Sequence, residues 1–165
     1  MNPSILNDAS ADDAHAMLLR CCGSTRWAFA MSERRPFDDT LFTVADEEFA
    51  QLTRPDWLEA FAAHPRIGDI DGLRAKYAST ATWSLGEQSG AANADEQTLH
   101  DLAAGNRDYE ARFGHIFIVY ATGKSAGEML TLLRQRLPND ADTELAIAAA
   151  EQVKITRLRL EKLLS

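Results

Sequence analysis

Only one stretch of this chain, Ile116-Phe117-Ile118-Val119-Tyr120, has the β-branched and aromatic run of a strand, and a lone strand has nothing to pair with. Elsewhere apolar residues recur at three- and four-residue spacing, the period of a helix with one buried face. Together these features predict an all-α fold: a single compact bundle of about eight or more helices with one short buried extended segment. The 116–120 run itself reads as that extended segment or as a buried helix start, with backbone donors that could face a ligand.

The punctuation divides the helices. Ser10 with Asp13 is a cap signal ahead of Ala14, Met17, Leu18 and Cys21, with Gly23 as the stop, so a first helix falls at about 11–22. Trp27, Ala30 and Met31 mark a second short helix before the loop Arg34-Arg35-Pro36-Phe37. A third runs from Thr40 to near Thr53, and Pro55 suits the first turn of a fourth, striped by Trp57, Leu58 and Phe61. Beyond it come a short helix at 72–77, a longer one from about Ala94 to Phe113-Gly114, one over 125–137 stopped by Pro138-Asn139, and a last from Asp142 or Thr143 to Leu164. No repeat or linker-like tract interrupts residues 1–165, which read as one domain.

Composition narrows the partners. With 25 acidic against 17 basic residues and a net charge of −8, neither a nucleic-acid backbone nor an anionic membrane surface is expected as the main partner. An anionic ligand then needs a local arginine. The polar first ten residues and the absence of a long apolar run predict a soluble protein of the cytoplasm, and the Lys162-Leu163-Leu164-Ser165 ending is not a peroxisomal signal. Cys21 and Cys22 are adjacent, which suits neither an ordinary disulfide nor a zinc pair, and are expected as reduced thiols at a buried helix end. No histidine pair among His15, His64, His100 and His115 has zinc spacing, and there is neither a nucleotide loop nor a Gly-x-Ser-x-Gly elbow, so no metal and no cofactor are expected.

Four segments could carry chemistry. In His64-Pro65-Arg66-Ile67-Gly68 the proline disfavours helical geometry at His64, which puts the imidazole at the exit of the fourth helix. Such a group serves as a general acid or base near neutrality, or merely caps the carbonyls of the preceding helix. Local sequence leaves both open. In Ser84-Leu85-Gly86-Glu87-Gln88 a hydroxyl, a carboxylate and an amide meet at a helix start, either as a site or as a simple capping box. Arg112-Phe113-Gly114-His115 reads mainly as a helix stop. Arg157 and Arg159 lie on the last helix, where a solvated face is the commoner outcome and a carboxylate clamp the functional one.

These motifs in this order, with Cys21-Cys22-Gly23-Ser24, Trp27, Arg35-Pro36-Phe37, Arg136-Leu137-x-Asn139 and Lys154-Ile155 to Arg159-Leu160, resemble the bacterial type of the OHCU decarboxylase family. OHCU is 2-oxo-4-hydroxy-4-carboxy-5-ureidoimidazoline, which the family converts to (S)-allantoin in urate degradation. The resemblance implies an all-α homodimer with no cofactor. It also implies His64 and Glu87 as catalytic residues, with substrate contacts from Pro65, Ser84, Leu85, Gly86, Gln88, Ile116, Phe117, Ile118, Val119 and Arg159; Arg157 is the neighbour that an error of one turn would substitute for Arg159. The chain departs from the family pattern at His115 and at Tyr120-Ala121-Thr122-Gly123, which lacks an arginine that many relatives carry.

The implied reaction explains why so few groups are needed. The carboxylate-bearing carbon of OHCU adjoins a carbon–nitrogen double bond, so the substrate holds its own electron sink. The protein must orient the carboxylate, hydrogen-bond an enol-like intermediate and deliver a proton to one ring face. The competing expectation is a helical interaction module in which His64 and Glu87 are only caps; a third is a lyase or hydrolase acting on a related ureide.

Overall fold

A computed structural model describes residues 1–66, 68–78 and 88–165, with side chains in the last stretch from residue 95 onward. Among the described residues there are nine helices and no strand. The fold is all-α, as the periodicity predicts. The chain divides into two compact contact units, 1–64 with 118–120 and 146–165, and 65–117 with 121–145.

The first unit holds α1 (Ser4–Asn7), α2 (Ala11–Cys21), α3 (Thr25–Glu33), α4 (Leu41–Ala50), α5 (Arg54–Ala62) and most of α9 (Ala141–Leu163). The Ser10 side chain caps α2 by accepting from the Asp13 N–H, and Ser24 caps α3 through Trp27. At α5 the Asp56 carboxylate accepts from both the Thr53 N–H and its hydroxyl, with Pro55 in the first turn. Leu18, Trp27, Met31, Phe61 and Leu160 are fully buried here, and the Trp27 indole N–H donates to the Ala45 carbonyl at 3.1 Å.

Sequence periodicity does not reveal α1, a single turn fastened from outside. Arg35 Nη1 donates to the carbonyls of Leu6 and Ala9, both at 2.8 Å, and the Asn7 amide pairs with the Phe37 backbone. Gly23 also differs from expectation. It has no positive φ, and a Cβ there would fall 2.2 Å from that of Ala63, so its smallness admits α5 rather than stopping α2.

The second unit contains α6 (Ile70–Tyr77), α7 (Gln88–Phe113), α8 (Ala126–Arg136) and the first turn of α9. Helix α7 starts at Gln88, earlier than the expected Ala94, and ends at Gly114, whose φ of 76° is the left-handed geometry that glycine tolerates. Ser125 and Glu128 form a reciprocal capping box at α8. Where α7, α8 and α9 meet, Glu144 is fully buried and accepts from Arg136 at 2.5 and 2.8 Å, from the Tyr109 hydroxyl and from Asn139 at 3.1 Å. Burial and that carboxylate push the Tyr109 phenol upward. The Arg136 guanidinium also stacks on Phe117, 4.6 Å from the ring centroid.

Residues 116–120 form neither helix nor strand. Ile118 is buried, whereas its neighbours are only partly so. The Tyr120 N–H donates to Glu151 Oε2 at 2.6 Å, which fastens that end of the segment to α9.

Candidate active site

His64 follows the end of α5, with its own N–H still donating to the Phe61 carbonyl. The half-buried ring does not turn back to cap that helix. Nε2 lies 2.6 Å from Gln152 Oε1 and Nδ1 lies 3.3 Å from Arg159 Nη2, both on α9. Gln152 is fully buried, and its amide donates to the Thr156 hydroxyl at 3.2 Å; Thr156 in turn hydrogen-bonds the Cys22 sulfur. Residues 152, 156 and 159 share one face of α9 by their spacing of four and three, so a single helix presents Gln152 and Arg159 to the imidazole, with Thr156 behind Gln152.

Burial is the main influence that lowers the His64 pKa below 6.5; the Gln152 bond opposes it and the Arg159 charge adds to it. At neutral pH the ring is therefore uncharged, the form that accepts a proton. Arg159 also reaches the carbonyls of Arg20 and Cys21 at the end of α2, each at 3.4 Å. Those weak contacts hold it in place without neutralising it. The thiols at this helix end are free and buried, as expected, and burial pushes Cys21 up to about 11.

The choice between the two arginines is decided by helix rotation. Arg157 points elsewhere, to Asp46 at 3.5 Å and over the Phe42 ring at 5.0 Å, whereas Arg159 meets His64. Ile118 and Val119 belong to the same unit as His64 and Arg159. Pro65, Gln88, Ile116 and Phe117 belong to the second unit, where Gln88 contributes the first residue of α7. Ser84, Leu85, Gly86 and Glu87 lie outside the described residues. His115 packs among aromatics, edge-on to Tyr109 and stacked on Phe113, with Nδ1 3.0 Å from the Ile116 carbonyl oxygen.

Gln152 is the member of the site that sequence reasoning missed. Its signal was an amide on the otherwise apolar stripe of Leu145, Ala148, Ala149 and Ile155, where an uncompensated polar group costs several kcal/mol, about 2–7. Among the described residues no three His, Cys, Asp or Glu side chains gather as a metal site. No described helix is long and apolar enough to cross a membrane.

An all-helical chain that seats a neutral imidazole between a buried amide and a guanidinium is equipped for acid–base chemistry on an anionic small molecule. The chain belongs to the OHCU decarboxylase family, whose model matches residues 7–161. It is 43% identical over 148 residues to the uric acid degradation bifunctional protein TTL of Arabidopsis thaliana, covering 88% of this chain and 45% of the relative. It is 26% identical over 167 residues to the uric acid degradation bifunctional protein of Bacillus sp. (strain TB-90), covering 96% of this chain and 31% of the relative. The chain thus spans less than half the length of these curated relatives.

Among solved structures, one of an OHCU decarboxylase in the presence of (S)-allantoin superposes with a TM-score of 0.72 at 35% identity, covering 94% of this chain and 99% of that one. A crystal structure of (S)-allantoin synthase also gives 0.72, at 15% identity over 99% of this chain and 54% of that one, a likeness of fold alone.

Proposed function

We propose that this chain is a carboxy-lyase that decarboxylates OHCU to (S)-allantoin in urate degradation without a cofactor. The observation that carries the proposal is the uncharged His64 imidazole held beside Arg159, in a member of the OHCU decarboxylase family. A solved relative at 35% identity was crystallised with (S)-allantoin, which supports the product assignment.

In this reading Arg159 turns from Nδ1 to the substrate carboxylate and aligns it for loss as carbon dioxide. The pair of the broken carbon–carbon bond becomes a ring carbon–carbon double bond, while the neighbouring carbon–nitrogen pair moves onto nitrogen, which takes a proton from solvent, the one proton the reaction consumes. His64, freed at Nδ1, accepts the hydroxyl proton of the enol and returns it to the ureido-bearing carbon as the ring carbonyl forms. Delivery from one fixed imidazole reaches one face, hence a single enantiomer. Glu87 binds the hydroxyl or ureido group and helps to place His64. Pro65, Ser84, Leu85, Gly86, Gln88 and residues 116–119 line the substrate, with ring carbonyls read by the Gln88 amide and by backbone N–H groups near Ile118.

Residues 1–165 act as one functional domain in this proposal; the family match from 7 to 161 draws on both contact units. A homodimer follows from the family resemblance, and the free thiols suit a reducing cytoplasm. The test is chiral analysis of freshly generated OHCU. Enantiomeric excess of (S)-allantoin with the protein, lost in His64→Asn, is the expected result. Racemate at the spontaneous rate with the wild-type protein overturns the proposal.

A further inference from the structure

The contacts around His64 also specify which of its two nitrogens works. We infer that Gln152 is a positioning residue that fixes the imidazole as its Nε2–H tautomer and leaves Nδ1 as the nitrogen that exchanges protons with the substrate. This rests on the functional proposal above for the word substrate, but the tautomer follows from geometry alone.

A guanidinium has only donors, so the nitrogen that faces Arg159 at 3.3 Å must accept. Nδ1 is then bare and the ring proton sits on Nε2. Nε2–H needs an acceptor, and Gln152 Oε1 stands 2.6 Å away. With its oxygen committed there, the Gln152 amide nitrogen must donate elsewhere, and the Thr156 hydroxyl accepts at 3.2 Å. Thr156 is left to donate its own proton, and the Cys22 sulfur is its partner. One permanent cation thereby dictates every role along Arg159, His64, Gln152, Thr156 and Cys22.

Gln152 and Cys22 are fully buried and Thr156 nearly so, so water does not compete for these bonds. With the Gln152 amide reversed, the neutral ring would set N–H against N–H whichever tautomer it took: against Gln152 as Nε2–H, against Arg159 as Nδ1–H. A leucine at 152 would fill the space and bring no acceptor. A glutamate would keep the acceptor and add a charge.

Nitrogen-15 NMR of histidine-labelled protein, with His64 assigned by its loss in His64→Asn, reads the tautomer directly and needs no substrate. The expected spectrum at pH 7.5 has a pyridine-like Nδ1 and a pyrrole-like Nε2. Gln152→Leu is expected to mix the tautomers and to lower kcat by at least ~10-fold with KM within about twofold, since an imidazole in the wrong tautomer loses most of its rate advantage. Gln152→Glu is expected to keep the tautomer and move the acid limb of the pH–rate profile to higher pH. Thr156→Val, the milder change, gives an intermediate loss of kcat.

A pyrrole-like Nδ1 in the wild-type protein overturns the inference even if no variant folds. So does a folded Gln152→Leu with unchanged tautomer, kcat and pH profile. A wild-type protein that shows the expected tautomer yet leaves OHCU to decay as racemate overturns the functional proposal and supports the positioning role. Stereospecific turnover with the opposite tautomer overturns this inference alone.

Discussion

Arg159 Nη2 stands 3.3 Å from Nδ1 of His64, a permanent cation beside a side chain whose charge changes near neutrality. Burial and this neighbour hold the His64 pKa below 6.5, so the unfolded chain binds the proton more tightly than the folded one. The His64 contribution to stability is therefore flat above about pH 7 and falls as pH drops from 6.5 toward the folded-state value. Urea melts at intervals between pH 5 and 8 should show this slope in the wild type relative to His64→Asn, and kcat/KM should bend down only below 6.5. An acid limb above 6.5 contradicts the assignment.

The two arginines of α9 should separate cleanly. Arg159→Ala removes charge-assisted bonds to a buried site and is expected to lower kcat/KM roughly 10- to 100-fold, the equivalent of about 1.5–3 kcal/mol. Arg157→Ala breaks a half-exposed pair with Asp46 and should cost under about 1 kcal/mol of stability, with kcat unchanged. Steady-state kinetics on both variants decide it; equal losses would mean that the assignment of Arg159 is wrong.

Arg136→Met should be among the most destabilising single changes in the second unit. It leaves Glu144, fully buried, with only Tyr109 and Asn139 against its charge. Breaking one side of a buried pair costs about 3–5 kcal/mol, which for a chain of this size is a fall in Tm of roughly 6–20 °C. Scanning calorimetry measures it. The double variant Arg136→Met with Glu144→Leu is expected to recover a large part of the loss.

Gly23→Ala and Gly105→Ala should differ for a steric reason. At Gly23 the new methyl meets Ala63 Cβ at 2.2 Å, a group that cannot rotate away and that directly precedes His64. A loss of about 1–3 kcal/mol with a lower kcat is expected. At Gly105 the methyl meets Leu133 Cδ2 at 2.7 Å, the far end of a flexible side chain, within a helix that gains about 1 kcal/mol from alanine. Thermal melts should place Gly105→Ala close to wild type.

What sequence showed and what it hid divides along physical lines. Apolar periodicity and caps depend on neighbours within a few residues, so α2 to α5, α8 and α9 were legible, as was the exit of α5 at His64. Helix α1 is held by Arg35 and Phe37 and carries no local signal. The early start of α7 runs through Gly90, Ala91 and Asn93, which show no apolar stripe. The family resemblance pointed to Arg159, but local sequence could not show that a buried amide on the same helix would meet an imidazole 88 positions earlier.

That separation has a consequence for the newborn protein. On the ribosome, at about 5–20 residues per second, His64 is made roughly 4–18 s before Gln152 exists, and Arg159 comes later still. Helices α2 to α5 can form meanwhile from local contacts. The imidazole nevertheless has neither its acceptor nor its cation until α9 has been made, so a nascent chain that stops short of α9 lacks both neighbours of His64.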